Sequence, residues 1–455
     1  TLLDKYPYDA NSYVFASSAK SRSLQSAYGF SVGFFEGRLA ADSGSEVEKG
    51  VIGRRPPVQP VDISMLPIGL DKEMAMKYAC PRWLESVDGQ PAVEKQNKDY
   101  ESKFLPALAE RLSAVLSASA KTPADKFNIT VKEIGVIQNM CGFEISMHNT
   151  DKTWCRLLGL GLTPSKGDGH GKGGKDNKHG KDDKGDEDDD EDDDEDDDEK
   201  GDTEAAKDVF LKLEIADDLD DFYTYGPGVP FNRHLGCKLG TSLVNSIEMA
   251  LTEDKTGGAS EPKKDKNPSA LGDDDEEVPG VSRAVLKFGH SETILLFTSF
   301  LNLYHQKGVP LTANMTPEQY EKREFRTSNF SPFSANMAFE IYRPTAASSP
   351  KSPKLRRRLD AEAAATAPQG LIRLLVNEVP MLLPGCGSNY FCEWSTFKKV
   401  LQDAGAGCDF DACCASLTKP ASASASAPGS ESRIAFLKAF GKRAEPVCLP
   451  VEPIA

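Results

Sequence analysis

His290 and Glu292 stand two residues apart at a point where the sequence changes character. The apolar run Ala284-Val-Leu-Lys-Phe288 reads as a short strand stopped by Gly289. A stretch of helical length follows from Ser291 to Tyr304, with Leu295, Leu296, Phe300 and Leu301 near helical spacing. The pair therefore sits at a strand-to-helix junction, where free backbone N–H groups and the positive helix end favour a bound anion. An imidazole there can donate to phosphate oxygens, and a carboxylic acid two residues on can protonate a leaving group. The plainer reading is a histidine that caps the helix and a glutamate that improves its first turn; one His-x-Glu does not separate the two. Arg22 is the third candidate. It falls in the first turn of a helix expected from about Lys20 to Gly37, where a cation opposes the helix dipole at a cost of about 0.3–1 kcal/mol. A fork of donors suits phosphate, whereas a solvated surface arginine would need no role.

The elements that must position these residues are legible to different degrees. Tyr13 to Ala16 is β-prone, residues 41–70 are Gly/Pro-rich and read as loop, and the signals turn helical from about Asp71 to Leu162. Leu105, Leu108, Leu112 and Leu116 mark an amphipathic helix that Pro106 starts. Val131 to His148 is a second helix, announced by Asn128-Ile-Thr130. Val209 to Leu251 carries two helical segments around Gly226-Pro-Gly228. Ala335 to Tyr342 reads as a strand, Leu371 to Leu383 as two short strands around Asn377-Glu378, and Trp394 to Ala404 as a helix.

Three polar inserts interrupt this pattern: 163–206, 253–280 and 344–368. Asp186 to Glu199 is an unbroken acidic run, so most of the net charge of −16 belongs to one segment and the remainder is nearly balanced. Residues 163–206 cannot bury a core and are expected to be disordered. Their histidines and carboxylates lack the fixed geometry of a metal site; weak cation buffering by the acidic run is the function they would support alone. The basic cluster Lys354-Leu-Arg-Arg-Arg358, flanked by Ala, Ser and Pro, reads as a solvated loop and not as a nucleic-acid site. No apolar run reaches membrane-spanning length. Ten cysteines without zinc-ligand spacing point to structural disulfides in an oxidising compartment, secreted or in the endoplasmic reticulum lumen. Of three Asn-x-Ser/Thr sequons, only Asn128 is not followed by a nearby proline, which makes it the glycosylation candidate.

Phe288-Gly-His-Ser-Glu292 resembles the second signature of the histidine acid phosphatases, in the branch of the multiple inositol polyphosphate phosphatases, which carries His-Ala-Glu there. Val14 to Ala27, around Arg22, resembles the segment that carries the phosphate-pocket arginine. Tyr225-Gly-Pro-Gly228 with the helix after it, and Leu374 to Cys386, resemble the family's Gly-Tyr-Gly loop and C-terminal hairpin. The resemblance implies an α/β fold: a histidine-phosphatase-like mixed sheet flanked by helices, with an inserted, mostly helical cap. The core would be 1–70 and 281–455, the cap 71–162 and 207–252. It implies a phosphomonoesterase acting on inositol polyphosphates such as phytate, without cofactor or metal, and leaves open whether bisphosphoglycerate is also a substrate. Arg22 and His290 would bind the phosphoryl group, and Glu292 would protonate the leaving oxygen. It also implies the pairs Cys141–Cys155, Cys386–Cys392 and Cys80–Cys408, leaving Cys237, Cys413, Cys414 and Cys448 unassigned.

One part of the pattern is absent. The family's nucleophile lies in an Arg-His-Gly-x-Arg motif, and the single Arg-His pair here, Arg233-His234, is followed by leucine. The expectation is an N-terminally truncated fragment that does not turn over substrate, with a catalytically inactive phosphate-binding homologue as the alternative.

Overall fold

The structure, a computed structural model of the chain, describes residues 8, 10, 12–42, 60–118, 122, 126–148, 153–160, 196–252, 284–305, 310–343, 370–405, 409–417, 448 and 451–453. The chain divides into two compact units. The first is Thr1–Glu94 with Asp221–Leu311 and Glu321–Ala455; the second is Lys95–Asp220 with Thr312–Tyr320. Residues 71–94 and 221–252 thus cluster with the first unit. The inserts 163–195, 253–280 and 344–368 lie outside the described residues.

The first unit contains a parallel sheet of β1 (Tyr13–Ser18), β2 (Ile63–Leu66) and β3 (Ala284–Phe288), in the order β2-β1-β3. β1 is central, and its side chains show it: Tyr13, Phe15, Ser17 and Ser18 are all buried. Phe35, from the helix Ser21–Asp42, packs edge-on against Tyr13, and Phe288 stacks on Phe15. Ser17 pairs with Phe288, so β1 and β3 end side by side. Each strand then leads, within a few residues, into a helix: Ser21–Asp42 after β1 and Ser291–Phe300 after β3. β2 falls in the stretch read from sequence as loop. Its four residues, within the six between Pro60 and Pro67, announce nothing locally; pairing with β1 makes them a strand.

A separate antiparallel sheet holds β4 (Met337–Tyr342), β5 (Leu371–Val376), β6 (Val379–Met381) and β7 (Cys392–Glu393). The β5–β6 turn uses positive φ at Asn377 and Glu378 (49° and 66°), the twist that closes a two-residue hairpin. The helix Trp394–Ala404 supplies Phe397 against Phe339 of this sheet. The α/β class expected from sequence is the observed one, with its parallel and antiparallel ladders in two sheets. The helix after His290 stops at Phe300 and not at Tyr304, because Asn302 and Tyr304 take positive φ.

The second unit is helical. Leu105–Ser117, Val131–His148 and Trp154–Leu160 share a core with the helix Asp196–Thr224, built on Leu108, Leu112, Ile134, Leu158 and Leu213. Glu144 accepts the N–H groups of Thr153, Trp154 and Cys155, satisfying donors that a helix start leaves open. The helix Asp196–Thr224 begins inside the segment expected to be disordered through 206. Glu204-Ala205-Ala206 are good helix formers, a local preference that the composition of the segment hides.

Cys141 is bonded to Cys155 and Cys386 to Cys392. The third pairing differs from expectation: Cys80 is bonded to Cys414, and Cys413 to Cys448. Arg82 N–H donates to Cys414 O, which brings the two segments together. Cys237 is also disulfide-bonded, and Cys408 lies outside the described residues. Among the described residues no cysteine is free, which fits an oxidising compartment. Among the described residues, no helix is long and apolar enough to cross a membrane.

Candidate active site

The site lies at the C-terminal ends of β1 and β3, where parallel sheets place their ligand sites. Two features of the local sequence build it. Gly289 leaves no room for a side chain, since a Cβ would come within 2.6 Å of Thr293 Oγ1. That hydroxyl accepts the His290 N–H (3.0 Å) and donates to Met74 O (2.6 Å). His290 is thereby the N-cap residue of Ser291–Phe300, but its ring is turned to other partners.

His290 Nε2 lies 2.7 Å from Ser18 Oγ, and Arg22 Nη2 lies 3.2 Å from His290 Nδ1, across 268 residues of sequence. A guanidinium has only donors, so Nδ1 must be the acceptor. In the neutral ring Nε2–H then donates to Ser18. Burial holds the imidazole below its usual pKa, and Arg22, Lys20 and Lys77 add to this against the opposing charge of Glu292. Ser23 Oγ donates to Gly289 O (3.1 Å), tying the first turn of the Arg22 helix to the same corner. Arg22 itself is exposed, so its fork remains open to an incoming anion.

Glu292 is also in this corner, with its carboxylate 2.7 Å from Lys77 Nζ. Lys77 donates in addition to Tyr225 OH (2.8 Å) and lies over the Tyr225 ring, 4.7 Å from its centroid. Burial works against both charges of this pair. The Lys77 bond outweighs it and holds the Glu292 carboxyl below the usual range. The bonds to Glu292 and Tyr225 likewise hold the ammonium above the usual lysine range. Burial pushes the Tyr225 phenol up, so it stays protonated. Residues 74–78 line a small cleft together with His290, Glu292, Thr293 and Leu296.

Tyr225 is placed by the loop after it. Cβ atoms on Gly226 or Gly228 would meet Phe222 at 2.8 and 2.7 Å. Asn232, fully buried, holds that loop by donating to Thr224 O and Gly226 O and by accepting from Trp83 Nε1, whose ring stacks on Tyr225.

Arg22, His290 and Glu292, the three residues singled out from sequence, therefore share one corner of the first unit. Ser18, Lys77 and Tyr225 complete it. Lys77 was missed in sequence; its one signal is a lone lysine within Met74-Ala-Met-Lys-Tyr-Ala-Cys80, a segment otherwise apolar or aromatic. Among the described residues, no group of three or more His, Cys, Asp or Glu side chains is arranged to hold a metal ion.

The sequence profile of the Histidine phosphatase superfamily (branch 2) matches residues 1–377. The chain belongs to that superfamily. Among characterised relatives, multiple inositol polyphosphate phosphatase 1 of Dictyostelium discoideum is 35% identical over 119 residues, which is 26% of this chain and 15% of that protein. The human multiple inositol polyphosphate phosphatase 1 is 27% identical over 139 residues, 30% of this chain and 24% of that one. These matches therefore span about a quarter or less of the relatives' lengths. The crystal structure of the phytase from D. castellii superposes with a TM-score of 0.52 at 14% identity, covering 90% of this chain and 62% of that one. That likeness concerns the fold alone.

Proposed function

We propose that the corner at His290 binds and hydrolyses phosphomonoesters of inositol polyphosphates, phytate among them, in a secreted or endoplasmic-reticulum lumenal setting. One observation carries this reading: the Arg22 guanidinium and the His290 imidazole meet at 3.2 Å at the start of a helix, across 268 residues. An anion arriving at Arg22 draws its donors from Nδ1, and the freed nitrogen can take a proton and become a second donor. Phosphate binding is thus coupled to protonation of His290. Ser18 fixes the ring from the other side.

Hydrolysis of phosphate monoesters needs accelerations up to about 10²¹-fold, and the proposed route divides that demand. A nucleophilic histidine attacks phosphorus and the P–O ester bond breaks. Arg22 and His290 stabilise the equatorial oxygens, Glu292 protonates the departing alcohol, and water releases phosphate from the phosphohistidine. Residues 1–455 hold no Arg-His-Gly-x-Arg motif, so the proposed route assigns its nucleophile to none of the residues named here. Names of the relatives support the substrate class; bisphosphoglycerate is a second substrate to assay. Asn128 is exposed in the second unit and is the proposed glycosylation site.

The test measures phosphate release from phytate by the 455-residue chain and by the full reading frame that contains it. Glu292→Gln should slow phytate by about 10²–10⁴-fold, the usual worth of a positioned acid, and p-nitrophenyl phosphate far less, because that leaving group needs no proton. Equal losses on both substrates would remove Glu292 from the acid role. The absence of that motif from residues 1–455 and the ion-paired acid together favour a second reading, an inactive phosphate-binding homologue. Anion binding without release of phosphate from either substrate would select it.

A further inference from the structure

Glu292 poses a chemical difficulty for its proposed role. A carboxylate bonded to an ammonium at 2.7 Å holds no proton to give. The ammonium is a poor donor in its place, because a carboxylate, the Tyr225 oxygen and the faces of Tyr225 and Tyr78 all stabilise its charge. The pair is also well enclosed: the Lys77 and Glu292 side chains retain 13% and 18% exposure. Glu292 can act as an acid only after Lys77 has exchanged it for another anion.

The cleft offers a source for that anion. Lys77, Glu292 and His290 line it together, and Arg22 is bonded to His290. A single phosphoryl group held by Arg22 and His290 leaves Lys77 with Glu292. A substrate with a second phosphate on a neighbouring carbon carries a stronger acceptor for the ammonium into the same cleft. We infer that Lys77 determines specificity by changing partners: a neighbouring phosphate of a polyphosphorylated substrate takes the ammonium from Glu292, and the released carboxylate binds the proton that it passes to the leaving oxygen. This rests on the phosphatase reading of the site. The groups that bear on the exchange are Lys77 and His290 around Glu292, with the Ser291 hydroxyl on its other oxygen; Tyr225, itself near Asp221, beside Lys77; and Arg22 and Lys20 around His290. Protons balance: the carboxylate takes one from solvent when Lys77 leaves.

Sulfate and myo-inositol hexakissulfate test this, because both stay fully ionised at pH 5 and any proton taken up on binding belongs to the protein. Calorimetry of the 455-residue chain in two buffers of different ionisation enthalpy counts those protons. Both anions should bind and share the uptake at His290. The hexakissulfate should take up an additional fraction, up to about one proton. Lys77→Met and Glu292→Gln should each abolish the excess of hexakissulfate over sulfate. Lys77→Met should also weaken hexakissulfate about tenfold more than it weakens sulfate. No excess in the unaltered chain, or an excess that survives Glu292→Gln, overturns the inference with the site reading intact. Failure of both anions to bind, or binding indifferent to Arg22→Ala, overturns the site reading and the inference with it.

Discussion

Glu292 in the first unit and Asp217 in the second are both crowded carboxylates, and their acidities move in opposite directions. Glu292 has a lysine at 2.7 Å and is held ionised despite burial. Around Asp217 the surrounding protein, and then the charges of Asp218, Asp220 and Glu101, push the carboxyl up to about 7, against the help of Gln138. Asp217 is nevertheless exposed by surface area. Because water reaches it, we assign most of its rise to the neighbouring carboxylates and less to burial. Glu101 is raised too, by burial and then by Asp220. Cost of burial does not separate the two regions. The sign of the nearest charge does: a lysine stands beside Glu292, and carboxylates surround Asp217.

The largest effect should come from breaking the enclosed ion pair. Glu292→Leu strands the Lys77 ammonium and should cost about 3–4 kcal/mol of unfolding free energy in urea, whereas Glu292→Leu with Lys77→Met should recover most of it. A strictly additive double variant would show that the pair is not coupled. Next, Cys141→Ser with Cys155→Ser removes the bridge of the second unit, which closes a loop with a sequence separation of 14. That should cost about 3 kcal/mol and leave sulfate affinity unchanged; a loss of affinity would mean that the two regions are not independent. Arg22→Ala should weaken sulfate about 30-fold, in line with about 2 kcal/mol for hydrogen bonds to a charged group, with amide exchange in the second unit unaffected.

The smallest effect sharpens the contrast through pH. Asp217 has a folded pKa raised above its unfolded value near 3.9. Its contribution to stability is fully present below that value and is lost as pH rises through about 7. Glu292 has a lowered folded pKa, so its contribution is present above about 4.3 and lost as pH falls. Amide protection factors in the second unit, taken relative to the base-catalysed intrinsic exchange rate at each pH, should therefore fall from pH 4 to 8, and Asp217→Asn should flatten that slope. A slope that Asp217→Asn leaves unchanged would assign it to other groups.

Much of the framework was legible residue by residue. The strand Ala284–Phe288, the helix Val131–His148 and the hairpin at Asn377-Glu378 all carry local signals, in periodicity, start residues and turn-forming residues. β2 does not, because four residues between prolines have no periodicity to read. Neither does the Cys80–Cys414 bond, with a sequence separation of 334: neighbouring Cys413 and Cys414 are equivalent in sequence, and the backbone path from Arg82 to Cys414 distinguishes them.

The candidate site divides in the same way. Sequence alone determined that a histidine and a carboxylate stand at a strand-to-helix junction, and that an arginine opens another helix, because these are properties of neighbouring residues. Tertiary structure decided that the arginine reaches that histidine, that Ser18 sets the ring, and that Lys77 takes the glutamate's charge. A proton's affinity for a side chain depends on the charges a few ångströms away, and here those charges come from segments more than 200 residues distant in the chain.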